Sequence, residues 1–172
     1  MAVRLKPLDQ QTIVITGASS GIGLATARLA ARRGARVVLA ARDAAALADI
    51  AADLRRAGGR AEPVPTDVSS EPEVEALARF ATENFGGFDT WINNAGVGMV
   101  SLLKDMQTEE HRRLFEVDYW GLVYGSLAAA RYFRDAGRSG AIVNMGSAAS
   151  DFVLPFSAAY TAAKHAVKGF AR

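Results

Sequence analysis

Short runs of β-branched and apolar residues alternate with long alanine-rich stretches of helical character, and this alternation limits the fold more than any other feature of the chain. A strand followed by a helical crossover re-enters its sheet in the same direction, so the pattern predicts parallel strands covered by helices. Strands are expected at Thr12–Thr16, Arg36–Ala40, Ala61–Val64, Thr90–Asn93 and Ala141–Met145. They are mostly continuously apolar, as strands buried on both faces require. Between them the periodicity predicts helices over Ile22–Arg33, Ala44–Ala57, Pro72–Phe85, Glu109–Arg134 and from Ser157 to the end of the chain. Gly34 and Gly58-Gly59 read as C-terminal stops, and Asp43 and Ser70 as N-caps. The expected fold class is α/β, a doubly wound parallel sheet of at least five strands in a single domain over residues 1–172.

A chain of 172 residues, 50% of them hydrophobic, can bury a core without cross-links, and the absence of cysteine excludes disulfides and thiolate metal sites. Lys and Arg number 20 against 18 Asp and Glu, a formal net charge of +2. The charges alternate in sign along amphipathic segments and form no basic cluster interleaved with aromatics, so no nucleic acid partner is implied. The excess of Arg, 16 of those 20, together with 34 Ala, reads as codon composition. No apolar run approaches the ~18 residues of a membrane span. The opening MAVRLKPLDQQ is not followed by an apolar stretch of signal-peptide length before Gly17, so a soluble cytoplasmic protein without a membrane partner is expected. His111 and His165 read as surface or packing residues, and no metal site is expected.

Thr16-Gly17-Ala18-Ser19-Ser20-Gly21-Ile22-Gly23 follows the first strand and opens the first helix. Such a turn aims backbone N–H groups and a helix N-terminus at a pyrophosphate, and glycine lets the ligand approach without a Cβ in the way. A tight strand-to-helix turn with no ligand is the alternative for a glycine-rich turn alone. The spacing G-x-x-x-G-x-G differs from G-x-G-x-x-G and from a P-loop, which would end in Gly-Lys-Ser/Thr. It resembles the turn of the short-chain dehydrogenase/reductase family, whose members bind NAD or NADP on a Rossmann-type sheet.

Other segments carry the same resemblance in the same order along the chain. Asn93-Asn94-Ala95-Gly96 ends the fourth strand and is similar to the family's N-N-A-G motif. Asp67-Val68 after the third strand is similar to its adenine-contacting pair, although Asp67 alone reads equally as a loop residue or helix-entry cap. An acidic residue near the end of the second strand would accept hydrogen bonds from the ribose hydroxyls, whereas an arginine attracts a 2′-phosphate. The acidic position here is Ala41, followed by Arg42, so NADP(H) is expected in preference to NAD(H), with Ser19 or Ser20 as further phosphate donors. Asp43 either caps the next helix or faces the ribose. The cofactor residues implied are Gly17, Ser19, Ser20, Gly21, Ile22, Gly23, Arg42, Asp67, Val68, Asn94, Ala95 and Gly96, with Tyr160 and Lys164.

Tyr160 and Lys164 lie four apart on one helical face, with Ser147 before them. A tyrosine is a poor base at neutral pH, but a neighbouring ammonium and a nicotinamide cation favour its phenolate. The resemblance implies that Tyr160 exchanges a proton with the substrate oxygen, Lys164 assists it and holds the nicotinamide ribose, and Ser147 steadies the carbonyl. Asp118 stands where the family carries an asparagine. Acting through its backbone carbonyl, it preserves a water relay to Lys164; as an ionised carboxylate it cannot replace an amide donor, but it attracts the Lys164 ammonium. The relay is expected to survive.

The family's chains continue past the Tyr/Lys helix into two more strands and a substrate-covering segment. Residues 1–172 are therefore expected to be C-terminally incomplete relative to it, with an open sheet edge. The expected activity is interconversion of a carbonyl and a secondary alcohol on a small-molecule substrate. Phe152, Val153, Leu154 and Phe156 offer an apolar wall suited to an apolar substrate, or simply pack their loop onto its neighbours. The alternative is a cofactor-binding module without catalysis, whether a fragment, a sensor-like relative or a scaffold. Gly121 and Gly125, four apart on one face of the long helix, are expected to allow close helix packing, within the fold or against another subunit. The resemblance implies homo-dimers or homo-tetramers, for which these glycines beside Trp120 and Tyr124 would supply an interface.

Overall fold

The computed structural model describes residues 5–171; residues 1–4 of the opening stretch and Arg172 at the end of the last expected helix lie outside the described residues. The elements are β1 (Thr12–Thr16), α1 (Gly21–Arg32), β2 (Arg36–Ala41), α2 (Ala44–Arg56), β3 (Arg60–Pro65), α3 (Glu71–Phe85), β4 (Thr90–Asn93), α4 (Thr108–Phe115), α5 (Gly121–Asp135), β5 (Ala141–Asn144) and α6 (Ala158–Phe170). The strands form one five-stranded sheet in the order β3-β2-β1-β4-β5. Every pairing is parallel, with Val14 opposite Val38 on one side and Trp91 on the other. β3, which carries Pro63 and Pro65, lies at one edge, where a missing N–H donor is tolerated.

Alternate residues of the central strands feed two separate cores. Ile13, Ile15, Val37 and Leu39 point to one face and pack with Leu47, Ala51 and Leu54 of α2 and with the alanines of α1. Val14, Val38 and Ala40 point to the other, against Val74 and Leu77 of α3, Ala128 and Ala129 of α5, and the Phe88–Trp91 pair. Small alanines on the helices let the sheet and helix backbones approach closely, which explains how an alanine-rich chain fills its interior. At the opposite end from the strand carboxyl termini, the buried Asp89 side chain accepts from Thr12 N–H at 2.9 Å and pairs with Lys6 at 2.6 Å. Its backbone carbonyl accepts from Ala141 N–H at 3.0 Å, so one residue aligns the starts of β1 and β5 around β4.

Two expectations require correction. The helix expected to run unbroken over Glu109–Arg134 is divided by a wide π turn, Glu116–Trp120. Such a turn carries one extra residue, and here it buries two consecutive side chains, Val117 in the core and Asp118 in the site. Ser70 occupies the N-cap position of α3 as expected, although its side chain makes no capping bond. Gly121 and Gly125 do not form an outer interface, because they face the chain's own interior. A Cβ on Gly121 would lie 2.8 Å from Val68 Cγ2, and one on Gly125 2.1 Å from Asn93 Oδ1 and 2.6 Å from Trp91 Nε1. Trp120 and Tyr124 stack on each other, with Trp120 partly exposed.

Among the described residues, no helix is long and apolar enough to cross a membrane, and no group of three or more His, Cys, Asp or Glu is placed to hold a metal ion.

Gly125→Ala therefore inserts a methyl group into the hydrogen bond between Trp91 and Asn93. It is expected to lower unfolding stability by about 1–3 kcal/mol, read from the denaturant midpoint at constant slope. An unchanged midpoint would show that α5 can move off the sheet freely.

Candidate functional site

The carboxyl ends of β1 and β4 meet in a polar brace. Thr16 Oγ1 accepts from the backbone N–H groups of Asn94 at 3.0 Å and Ala95 at 3.1 Å. In return, Asn94 Nδ2 donates to the carbonyls of Thr16 at 3.0 Å and Gly17 at 3.2 Å. The glycine turn is thus clamped against the fourth strand. Gly17 adopts φ +66°, a left-handed backbone that side chains disfavour, and its Cβ would meet Ala95 Cα at 2.8 Å. Gly23 has less room still: a Cβ there would lie 2.3 Å from Gly17 O and 2.5 Å from Asn94 Nδ2.

This packing presents the N-terminus of α1 to a cleft of about 420 Å³. Ser20, at the N-cap, makes no side-chain capping bond, so the first amides of α1 are left for a ligand. Gly17, Ser19, Ser20, Gly21, Ile22, Arg42, Asp67, Val68, Asn94, Ala95 and Gly96 all line the cleft, and Gly23 supports it from beneath. Glycines that leave no room for a Cβ, free helix amides and basic side chains suit a dinucleotide diphosphate. Asp43 also borders the cleft, and its Oδ1 caps α2 by accepting from Ala46 N–H at 2.9 Å. Arg42 has no carboxylate partner within ion-pair distance among the described residues.

Arg113 of α4 was not expected in this cleft. Its guanidinium reaches Asp67 Oδ2 at 2.9 Å and Ser69 Oγ at 2.6 Å. Asp67 Oδ1 accepts from both the amide and the hydroxyl of Ser69, at 3.0 and 2.7 Å. Partial burial works against the Asp67 carboxylate, but these hydrogen bonds and the Arg113 charge outweigh it and hold its pKa below the ordinary 3.8.

A second hollow of about 220 Å³ adjoins the cleft and is lined by Asp118, Met145, Gly146, Tyr160 and Lys164. Ile22, Asn94, Gly96 and Val97 line both spaces, so the two are continuous. Lys164 Nζ lies 5.5 Å from the Tyr160 ring centre. The ammonium is buried, with Lys164 6% exposed, and Asp118 is 1% exposed. Asp118 Oδ2 sits 3.0 Å from Nζ, a coulombic contact without hydrogen-bond alignment. Asp118 Oδ1 accepts from Val97 N–H at 2.7 Å. Ser147 lines a neighbouring hollow that shares Gly146, and its Oγ accepts from Ala149 N–H at 3.1 Å. Tyr160, Lys164 and Asp118 are therefore brought together, with Ser147 one wall away.

Val97 and Arg113 escaped the sequence reading, and Thr16 was given no role of its own there. Thr16 is the first residue of the glycine motif and was legible as such. Arg113 lies in a charged stretch of a helix distant in sequence from Asp67, and nothing local marks it.

The whole of residues 11–172 matches the model of the family described as short chain dehydrogenase. The chain is 44% identical over 168 residues to the uncharacterized oxidoreductase YxnA of Bacillus subtilis, covering 98% of this chain and 47% of that one. Among solved structures, a short-chain dehydrogenase/reductase of Burkholderia phymatum in complex with NAD superposes with a TM-score of 0.92 at 37% identity, covering 96% of this chain and 59% of that one. A metagenomic short-chain oxidoreductase in complex with NADP gives 0.86 at 37% identity, covering 93% and 72%. The chain thus spans about half the length of the first of these relatives.

Because the Asp67 pKa is lowered on folding, its contribution to stability is complete above the unfolded value and lost as pH falls through the folded one. The stability difference between the wild type and Asp67→Asn is expected to shrink as pH drops from about 5 to about 2. A difference that stays constant over that range would contradict the ion pair.

Proposed function

The chain belongs to the short-chain dehydrogenase/reductase family, and on that premise we propose that it is a nicotinamide-dependent oxidoreductase that interconverts a carbonyl and a secondary alcohol, with NADP(H) preferred over NAD(H). The observation that carries this reading is the continuity of the phosphate-binding cleft with the hollow that holds Tyr160, Lys164 and Asp118. A dinucleotide with its diphosphate at the amides of Ser19–Gly21 would extend its nicotinamide end toward that hollow.

The preference for NADP(H) rests on the end of β2. Asp43 caps α2 through Oδ1, and Arg42, which lines the cleft beside it, is free of carboxylate partners among the described residues, which suits a 2′-phosphate. When bound, the cofactor supplies hydride chemistry. The chain's own residues manage the proton and the substrate oxygen. Tyr160 Oη exchanges a proton with that oxygen, and the buried ammonium of Lys164 stabilises charge on the phenol oxygen through space. Asp118 fixes the ammonium by holding it between the β4 loop and α6. Ser147 Oγ accepts from Ala149 N–H and keeps its own O–H for a substrate carbonyl.

An apolar substrate is supported by the two loops that flank the hollow. Val100 and Val153 are 80% and 79% exposed, and Leu103, Phe152 and Phe156 are exposed beside them. The loops are joined by a hydrogen bond from Ser101 N–H to the carbonyl of Phe156 at 2.7 Å, with Phe156 held at φ +60°. Association into dimers or tetramers is proposed through the exposed Trp120, which stacks on the half-buried Tyr124, not through the glycines.

The Asp118–Lys164 contact also favours a second reading, a module that binds cofactor without turnover, because it engages the ammonium that catalysis needs. NADPH oxidation against a panel of apolar ketones separates the two. Turnover is expected, with Tyr160→Phe lowering kcat by about 10²–10⁴-fold while cofactor affinity is retained. Binding without turnover across the panel would favour the module. Arg42→Ala is expected to weaken NADPH by about tenfold or more while leaving NADH nearly unchanged. Equal losses for both cofactors would remove the case for NADP(H).

A further inference from the structure

Arg113 is the one basic side chain from α4 that reaches across the cofactor cleft. It approaches from the far side of the sheet's crevice relative to α1, and the residue it grips, Asp67, lines the cleft but not the Tyr160 hollow. The Asp67 carboxylate therefore stands at the end of the cleft remote from the proposed chemistry.

An ionised carboxylate offers about four acceptor positions. Two on Oδ1 are taken by the amide and hydroxyl of Ser69, and one on Oδ2 is taken by Arg113. The Asp67 backbone is fixed as well, its N–H donating to Glu73 Oε2 at 2.8 Å. One acceptor remains, on the oxygen that Arg113 holds. The buried Val68 lies next to it and gives the cleft an apolar wall for a flat ring.

We infer that Arg113 is a positioning residue for the base of the bound dinucleotide: by gripping Oδ2 and Ser69 Oγ together, it turns the last free acceptor of Asp67 toward the exocyclic amine of the purine. The inference rests on the reading that a dinucleotide occupies the cleft. It goes beyond that reading in making Arg113 act through Asp67 and not on a phosphate. Without Arg113 the carboxylate retains its Ser69 bonds but loses the partner that sets the direction of Oδ2. The lowered pKa of Asp67 agrees with a carboxylate kept ionised for this purpose.

The test is a fluorescence titration of the full chain with NADPH, NADH and reduced nicotinamide mononucleotide, which lacks the adenosine half. Arg113 is 44% exposed at its side chain, so Arg113→Gln is expected to fold, with an unchanged circular dichroism spectrum as the check. Arg113→Lys, which keeps the charge but loses the forked contact, serves as a second variant. Both substitutions are expected to weaken NADPH and NADH by a similar factor, about tenfold for the glutamine variant, and to leave the mononucleotide unaffected. The double variant Asp67→Asn/Arg113→Gln is expected to bind no more weakly than Asp67→Asn alone, since the two residues act as one unit. A loss confined to NADPH would make Arg113 a phosphate ligand and overturn the inference. Unchanged affinities, additive losses in the double variant, or an equal loss for the mononucleotide would overturn it too. A wild type that binds none of the three would instead remove the dinucleotide reading itself.

Discussion

The clamp between Thr16 and Asn94 ties the carboxyl ends of two neighbouring strands through four hydrogen bonds shared between one hydroxyl, one amide side chain and the adjacent backbone. Each such bond contributes about 0.5–1.5 kcal/mol to stability. Their greater consequence is geometric. A parallel sheet leaves backbone groups unpaired where its strands end, and here those groups are satisfied by each other's side chains, so the loops above them cannot splay. Gly17 and Gly23 then pack against Asn94 with no space for a Cβ, which fixes the axis of α1 and the direction of its free amides. The cleft, the proposed phosphate site and the continuity with the Tyr160 hollow all follow from that clamp.

The other demanding feature is a buried charge. Lys164 and Asp118 both sit out of water, and a buried pair of this kind is held by mutual attraction against a desolvation penalty of several kcal/mol per ion. Two structural devices make it tolerable. The π turn between α4 and α5 rotates Asp118 inward, and the Val97 amide takes the carboxylate oxygen that faces away from the ammonium. Removing either member alone would strand the other charge. An aspartate at a position where the family carries asparagine is thus accommodated by a side-chain contact with Lys164, the attraction that the two charges led one to expect beside the backbone-carbonyl relay.

Much of this was legible in the residues. The strands were placed within a residue or two because continuous β-branched runs between glycine turns leave few alternatives, and the glycine motif announced a crowded turn that the structure contains. What failed was the part that depends on residues far apart in sequence. Gly121 and Gly125 marked a closely packed helix face, but periodicity gives a face and not its neighbour, which is Val68, Asn93 and Trp91 of the same chain instead of another subunit. The π turn has no signature in a helix otherwise periodic from Thr108 to Asp135. Asp43 was legible as the cap of α2, and its contact with Ala46 N–H bears that out, while it also lines the cleft. Arg113 was invisible because its meaning lies entirely in Asp67, reached only when α4 is folded over the sheet.

At 18.2 kDa the chain is small enough for its backbone amides to be followed individually by NMR, and a titration with NADPH observed in this way addresses the central claim directly. Shifts are predicted to concentrate at Gly17, Ser19–Gly23, Arg42, Asp67-Val68 and Asn94–Gly96, and to extend to Gly146, Tyr160 and Lys164 as one contiguous track. Shifts that are absent, or confined to surfaces away from the clamp of Thr16 and Asn94, would contradict the account.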